Sequence, residues 1–371
     1  MEPLEANHWS SLTDLGWDGF FESYRRRSLE ESPELSRAPA RVIGEERGLF
    51  HLANPNGTFF GVIAGKLRYL AEERLDLPAV GDWVLCSREP NAERAVIHAI
   101  FPRRTCIKRK EAGRGTEDQI LAANVDCALI VTSANTEFNP ARLQRYATAV
   151  RNGGVEVEIV LSKIDLCPDH ESLFARIQSA MPGIVVHAIS VRSSSGLAEL
   201  HERLTPGRTF VFLGSSGVGK STLLNGLMGH EVMTTQTISG FEDKGRHTTS
   251  SRHLFALPSG SLVIDTPGLR EFRLGDFEQG LKETYEDIVA LSDECKFYDC
   301  HHQGEPGCAV EQAREDGSLS EERWNWFVKL QKEVEYQKRR DSGEHGRNTK
   351  ARWKKIHQQA SQYMKRKRWE S

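Results

Sequence analysis

The sequence has no long apolar run: none of its 371 residues fall in a stretch of the roughly 20 apolar residues that a membrane-spanning helix requires. No membrane span is expected. It also has little net charge, -3 at neutral pH, although that average hides a segment from Lys338 to Ser371 in which basic residues far outnumber acidic ones. Cysteine is sparse. Of the seven, four are scattered (Cys86, Cys106, Cys127, Cys167), too few and too far apart for a disulfide scaffold. The other three, Cys295, Cys300 and Cys308, stand close together. The N-terminal MEPLEANHWSSLTD lacks the basic-then-apolar layout of a secretion signal, so a cytoplasmic location is expected. In a reducing compartment the cysteine cluster points to metal binding over disulfides. No internal repeat is evident.

What is present suits several folding units. At 41.8 kDa, with 38% hydrophobic and 27% charged residues, the chain exceeds one ordinary domain. Residues 1–37 read as a helical extension and linker, LTDLGWDGFFESYRRR followed by SLEESPELSRAP, to which no chemistry is assigned. Residues 38–104 hold short apolar or alternating runs (ARVIG, LFHLA, TFFGVIAG, VGDWVLC, RAVIHAIF) between Gly, Pro, Asn and Asp turns, the pattern of a small β-barrel. An OB fold and an SH3-like barrel would both give it. Over 105–275 strand-like runs (CALIVTS, VEVEIVLS, IVVHAIS, RTFVFLG, RHLFAL, SLVIDT) alternate with helical patterns (PARLQRYATAVRN, ESLFARIQSAM, LAELHERL, KSTLLNGLMG). That alternation predicts an α/β unit with a parallel sheet covered on both faces. Residues 276–371 are polar and helical, interrupted by the Cys/His cluster and ending in the basic tail. The fold class expected is therefore multidomain α/β.

Gly214-Ser215-Ser216-Gly217-Val218-Gly219-Lys220-Ser221 matches G-x-x-x-x-G-K-[ST], directly after the strand TFVFL and before a helix that opens with Ser221 and Thr222. Glycines let successive backbone amides turn toward a β-phosphate, the helix N-terminus adds partial positive charge, and Lys220 reaches the β and γ oxygens. Ser221 is the expected Mg²⁺ ligand. Asp265-Thr266-Pro267-Gly268 ends the strand SLVID: Asp265 would hold Mg²⁺ and Gly268 would offer its amide to the γ-phosphate. Alone, DTPG also reads as a β-turn.

For the base, Ser162-Lys163-Ile164-Asp165 fits the [NT]-K-x-D element through which GTPases choose guanine, at the C-terminal end of the strand VEIVL where ligands bind in open α/β sheets. Asp165 would give specificity, and the Lys163 stem would pack on the base or on a neighbouring loop. Ser162 stands where Asn or Thr is usual, and its shorter reach puts part of the base contact in question. A charged surface turn would read the same in isolation. The loop at Ser190 is a second base-side candidate, equally readable as a plain strand-to-helix connection. The base elements here precede the phosphate elements, so the linear order is rotated while the cyclic order is kept, as in a circular permutation.

SKID, GSSGVGKST, GRHTTS, DTPG and CKFYDCHHQGEPGC, in that order, resemble the circularly permuted, ribosome-associated GTPases of the RsgA (YjeQ) family, over about residues 40–310. The resemblance implies an N-terminal OB fold, a circularly permuted P-loop GTPase domain and a C-terminal zinc-binding domain. It also implies GTP hydrolysis stimulated by the small ribosomal subunit during late maturation. Within GRHTTS, Thr248 or Thr249 would close on Mg²⁺ and the γ-phosphate, and the resemblance favours Thr249. Leu269 follows DTPG, so the glutamine that orients water in Ras-like enzymes is missing there, and His247 is the candidate catalytic residue in its place.

Cys295, Cys300, Cys308 and one of His301 or His302 supply the ligand count and softness of a closed tetrahedral Zn²⁺ site, one per chain and structural; the resemblance selects His302. The tail combines Lys and Arg with Trp353, Tyr363 and Trp369, and Arg103, Arg104, Lys108, Arg109 and Lys110 add a second basic patch. Together they suggest contact with RNA. The partners expected are GTP and GDP, the small ribosomal subunit and its rRNA, and no membrane, with the chain a monomer. Two other functions compete: a nucleotide-dependent RNA-binding module with incidental hydrolysis, and an ATP-using P-loop kinase that leaves SKID unexplained.

Overall fold

The computed structural model describes residues 9–31, 37–46, 48–89, 92–110, 118–135, 138–231, 252–265, 277–336 and 338–339. Among these, no helix is long and apolar enough to cross a membrane.

The amphipathic N-terminal run folds in two pieces. A 3-10 turn at Thr13–Leu15 stops at Gly16, which adopts φ 81°, and α1 (Gly19–Glu31) follows. Only glycine fits at Gly16: besides the left-handed φ, an added Cβ would lie 3.0 Å from the Gly207 carbonyl oxygen. Leu15, Trp17 and Phe21 are buried. Trp17 packs edge-on against Trp83 at 4.7 Å and Phe101 at 5.3 Å, so this segment contributes to the core.

The barrel consists of β1 (Ala38–Glu46), β2 (Leu49–Asn54), β3 (Gly57–Ile63), α2 (Gly65–Leu70), β4 (Trp83–Ser87) and β5 (Arg94–Ile100). β1, β2 and β3 form an antiparallel meander, β3 runs parallel to β5, β5 pairs antiparallel with β4, and β4 returns to β1. This closed Greek-key order is the OB arrangement, which decides between the two barrels that the sequence left open. Inward positions such as Val42, Leu52, Val84 and Ile97 fill it, as the two-residue period of strands requires.

A hairpin of β6 (Cys106–Lys110) and β7 (Asp118–Ala123), not expected from the sequence, links the barrel to the α/β unit. There, β8 (Cys127–Ser133), α3 (Pro140–Arg151), β9 (Glu156–Ser162), α4 (His170–Ala180), β10 (Val185–Ile189), α5 (Leu197–Arg203), β11 (Thr209–Leu213), α6 (Lys220–Met228), β12 (His253–Ala256) and β13 (Leu262–Asp265) follow. The sheet order is β10-β9-β8-β11-β13-β12, parallel except for β12. Every residue of β8 and β11 is buried because helices cover both faces. Phe210 and Phe212 join Leu223, Leu224 and Leu227 of α6 on one side, while Val211 and Leu213 join Tyr146 and Ala147 of α3 on the other.

α7 (Glu278–Thr284) and α8 (Glu286–Asp293) lead into the Cys/His loop, then α9 (Ala309–Glu315) and a helix over 321–336. Arg323 is almost fully buried and pins this region: it donates to both Asp287 carboxylate oxygens at 2.7 and 2.6 Å and to the Ala180 and Thr284 carbonyls at 2.6 and 3.1 Å.

Candidate functional site

The parallel strands β9, β10, β11 and β13 all end at the same edge of the sheet, so the segments Ser162–Asp165, Ser190, Gly214–Lys220 and Asp265, distant in sequence, meet at one rim. After β11 the P-loop turns through Gly214 (φ 145°), Gly217 (φ 81°) and Gly219 (φ 101°). A Cβ on Gly214 would lie 2.3 Å from the Val131 carbonyl oxygen. Gly219 caps α6 and has no side chain to accept the first-turn amides, which leaves them free to donate to an anion at the helix N-terminus. Lys220, 8% exposed, donates from Nζ to the Gly214 carbonyl at 2.9 Å and the Ser215 carbonyl at 2.8 Å. Burial lowers its pKa to about 8, with Asp265 partly opposing the shift. Asp265 is paired in register with Phe212, one strand over. Ser216 of the loop and Thr222 of the first turn of α6 are exposed, and Ser221 beside it is half-buried.

The base-side loop is stitched to the phosphate-side loop. Ser162, buried at the end of β9, donates from Oγ to the Val218 carbonyl at 2.6 Å, with the Thr132 carbonyl at 3.1 Å. Lys163 adopts the left-handed conformation, φ 58°, which turns its stem across the P-loop, and its Nζ donates to the Gly217 carbonyl at 2.7 Å. A non-glycine residue there costs roughly 1–2 kcal/mol, a strain commonly found where a loop is held for a ligand. Ile164 and Asp165 form the 3-10 turn that follows. Ser190, wholly buried, donates from Oγ to the Asp165 carboxylate at 2.6 Å, which fixes the rotamer of that carboxylate. The short side chain of Ser162 therefore holds the P-loop backbone, while Asp165 stays exposed at the rim with Ser190 buried behind it. Of the other candidates, His247, Thr249 and Gly268 lie outside the described residues, as do Thr248 and the basic tail beyond Arg339.

In the C-terminal region, Cys295, Cys300, His302 and Cys308 place one ligand atom each within 4.8 Å of one another. Sγ of Cys295 is 3.9 Å from Sγ of Cys308 and 3.6 Å from Nδ1 of His302, and His302 Nδ1 is 3.3 Å from Cys308 Sγ. A tetrahedral ion with bonds of about 2.3 Å to sulfur would separate its ligands by roughly 3.8 Å, so the donor set fits a zinc-like ion. His301 is exposed and outside the cluster, its amide donating to Glu305 at 3.0 Å. The left-handed φ of 55° at His302 turns that ring inward.

Two of the basic residues at the barrel junction are ion-paired, Arg103 half-buried and Arg104 exposed. Arg103 forms a double hydrogen bond to Asp82 at 2.8 Å and donates to the Leu75 and Leu77 carbonyls. Arg104 reaches Asp18 and Asp126. Lys108 remains exposed, and Arg109 half-buried.

The family model for RsgA GTPase matches residues 100–275. A protein of Opitutus terrae named small ribosomal subunit biogenesis GTPase RsgA is 40% identical over 357 residues, covering 94% of this chain and 96% of its own. The chain belongs to the RsgA GTPase family. A relative of the same name from Methanosarcina acetivorans is 39% identical over 300 residues, covering 81% of this RsgA GTPase and 80% of its own length. Two solved structures share the fold. YjeQ from Thermotoga maritima aligns with TM-score 0.61 at 24% identity, over 80% of this chain and 98% of its own. YloQ, described as a circularly permuted GTPase, aligns with TM-score 0.59 at 25% identity, over 81% and 95%.

Sequence reasoning did not single out Tyr146 of α3. It is almost fully buried, and burial raises the pKa of its phenol, with neighbouring Ser215 partly opposing the shift. A hydroxyl-bearing aromatic on the apolar stripe of PARLQRYATAVRN was the one available signal, but the stripe does not say what the hydroxyl meets.

The depressed pKa of Lys220 predicts a proton linkage in this RsgA GTPase. Phosphates would raise that pKa on binding, so the complex holds the proton more tightly than the free site. Nucleotide binding should therefore take up almost no proton at pH 7 and roughly one at pH 9, with affinity falling up to about tenfold per pH unit above pH 8. Titration calorimetry in two buffers of different ionisation enthalpy reads the uptake directly, and none at pH 9 would contradict the assignment.

Proposed function

We propose that this RsgA GTPase binds GTP across the rim formed by the SKID, Ser190 and P-loop segments and hydrolyses it in late maturation of the small ribosomal subunit, leaving that particle on hydrolysis. The observation that carries the reading is the set of bonds Ser162 to Val218, Lys163 to Gly217 and Ser190 to Asp165. They hold the guanine-type carboxylate in a fixed rotamer beside the phosphate loop. A kinase using ATP has no use for that arrangement.

In this reading the Gly214–Thr222 backbone and Lys220 bind the phosphates, with Gly268 offering an amide to the γ-phosphate, and Asp165 accepts from the guanine ring N–H and amine. Ser221, Asp265 and Thr249 would hold Mg²⁺, which neutralises charge on the β- and γ-oxygens. His247 orients the attacking water. Cys295, Cys300, His302 and Cys308 would hold one Zn²⁺; with four protein ligands there is no open coordination position, so its role is structural. The units proposed are an extension over 1–37, the barrel over 38–104, the permuted GTPase domain over 105–275 and the zinc-binding region over 276–371. The barrel, the exposed Lys108 and the basic tail are the proposed rRNA contacts of a cytoplasmic monomer.

The test is GTP turnover by wild type, Asp165→Asn and His247→Ala, each with and without purified small ribosomal subunits. Wild type should be stimulated by the subunits. Asp165→Asn should lose guanine preference by about 100-fold or more, because a carboxylate serving two donors is replaced by an amide that repels one. His247→Ala should bind GTP normally and turn over at least about tenfold more slowly. Normal turnover by His247→Ala would favour the RNA-binding module with incidental hydrolysis.

A further inference from the structure

With the rim read as a nucleotide site and the barrel as an RNA-contacting unit, we propose that the backbone pair Gly44–His253 couples the two, so that occupancy of either one biases whether this pair is closed. Neither residue belongs to a nucleotide motif.

The barrel strand β1 is the neighbour of β12, so the barrel and the α/β unit share one continuous sheet. Three register pairs lie in a single row across it. Gly44 stands opposite His253, His253 opposite Asp265, and Asp265 beside Phe212, two residues before the first P-loop glycine. At about 4.8 Å per strand, the backbone of Gly44 is roughly 10 Å from that of Asp265, the proposed Mg²⁺ carboxylate. Directly opposed residues of antiparallel strands share a face, so the His253 ring and the Asp265 carboxylate leave the sheet on the same side.

The seam is one pair wide among the described residues. Ala38–Arg41 of β1 pair with β4, Arg41–Glu46 with β2, and Gly44 alone is in register with β12. Gly44 is buried, so opening the pair strands backbone polar groups away from water. Glycine permits the close approach: a Cβ there would lie 2.9 Å from Nδ1 and 3.2 Å from Cε1 of His253. The imidazole of His253 packs near His51 of β2 at 6.1 Å and Phe255 at 6.2 Å between ring centroids. The preceding Arg252 donates to the Ile120 carbonyl of β7 at 2.9 Å. The start of β12 is thus held by the barrel, by the hairpin and by the strand that ends in Asp265. A seam of one pair has two discrete states, closed and open. A nucleotide that restrains Asp265 favours the closed state, and by linkage a barrel ligand that favours it strengthens the hold on Asp265 to the same degree.

Hydrogen–deuterium exchange on the full chain reads the seam directly. A non-hydrolysable GTP analogue with Mg²⁺ should slow exchange over β1 of wild type by about fivefold or more. Gly44→Val, which drives a branched side chain into the His253 ring, should bind the analogue within about threefold of wild type yet lose that slowing. Stimulation of its turnover by purified small ribosomal subunits should fall at least about fivefold, with subunit-free turnover within about twofold of wild type. Adding His253→Ala clears room for the valine and should restore most of both effects, which a general loss of barrel stability would not allow. Exchange over β1 of wild type that ignores the analogue would overturn the proposal without recourse to any variant. Full stimulation of Gly44→Val, or a double variant no better than Gly44→Val, would overturn it as well, leaving the nucleotide site intact. Failure of wild type to bind the analogue would remove the nucleotide reading together with the coupling.

Discussion

Replacing Arg41 with alanine should cost about 3–5 kcal/mol of stability, a large part of the roughly 5–15 kcal/mol that holds a typical folded domain together. Arg41 lies on a barrel strand but is 1% exposed, and its guanidinium joins three parts of the chain. It donates to the Leu15 carbonyl of the N-terminal segment, to the Gly81 carbonyl at 3.3 Å and to the Asn124 carbonyl at 3.1 Å, where the α/β unit begins. It also stacks over the Trp83 ring at 5.7 Å. Burial pushes its pKa down to about 10, against the pull of Asp126, Asp82 and Asp18, and the group is retained because its planar fork of N–H donors reaches three carbonyls from three parts of the chain at once. Arg41→Lys keeps the charge but cannot reach all three acceptors, so it should recover only a minor part of the loss. Urea denaturation measures both variants, and limited proteolysis within 9–31 should quicken in Arg41→Ala. A stability change below about 0.5 kcal/mol would show that the junction does not depend on this residue.

Stripping the metal proposed for the Cys/His cluster should have an effect of comparable or greater size, confined to the C-terminal region. Structural zinc contributes about 10–16 kcal/mol of apparent binding free energy in small zinc domains. The segment from Cys295 to Cys308 has few alternatives: apart from Cys308, which is buried, its residues are exposed or only half-buried, and Phe297 and Tyr298 point outward. Cys308 also caps α9, its sulfur accepting from the Glu311 amide at 3.4 Å, and His302 packs edge-on against Trp324 at 5.7 Å. Chelation under reducing conditions should therefore release one metal equivalent, expose Trp324 and open 295–315 to protease, while the P-loop region stays folded. Elemental analysis that finds no zinc in freshly purified protein would defeat the assignment outright.

The strands and helices of the α/β unit were legible in the sequence because their signals are local: apolar runs of strand length, helical spacing, and a Gly-rich turn between TFVFL and STLLNGLM. The hairpin Cys106–Lys110 with Asp118–Ala123 was not legible, since CIKRK carries more charge than a buried strand normally does. Its burial comes from what packs on it, with Ile107, Ile120 and Leu121 inside. LTDLGWDGFFESYRRR read as one helix, yet the close approach of Gly207 to Gly16 breaks it. The acidic partners of Arg103 and Arg104, namely Asp82, Asp18 and Asp126, stand too far away in sequence for charge patterning to reveal them.

The sequence alone determined the chemistry of this RsgA GTPase family member: the order of its motifs, the types of group each brings, and three thiols with a neighbouring histidine. Those facts reside in short stretches whose backbone needs, such as glycine at positive φ before a helix, are met within a few residues. The tertiary structure decided what each group touches. It closed the barrel as an OB fold, chose His302 over His301 through one left-handed residue, and turned Ser162 and Lys163 onto the P-loop. Each of these depends on contacts between residues tens to more than a hundred positions apart or on the backbone path, and no local pattern of residue types encodes either.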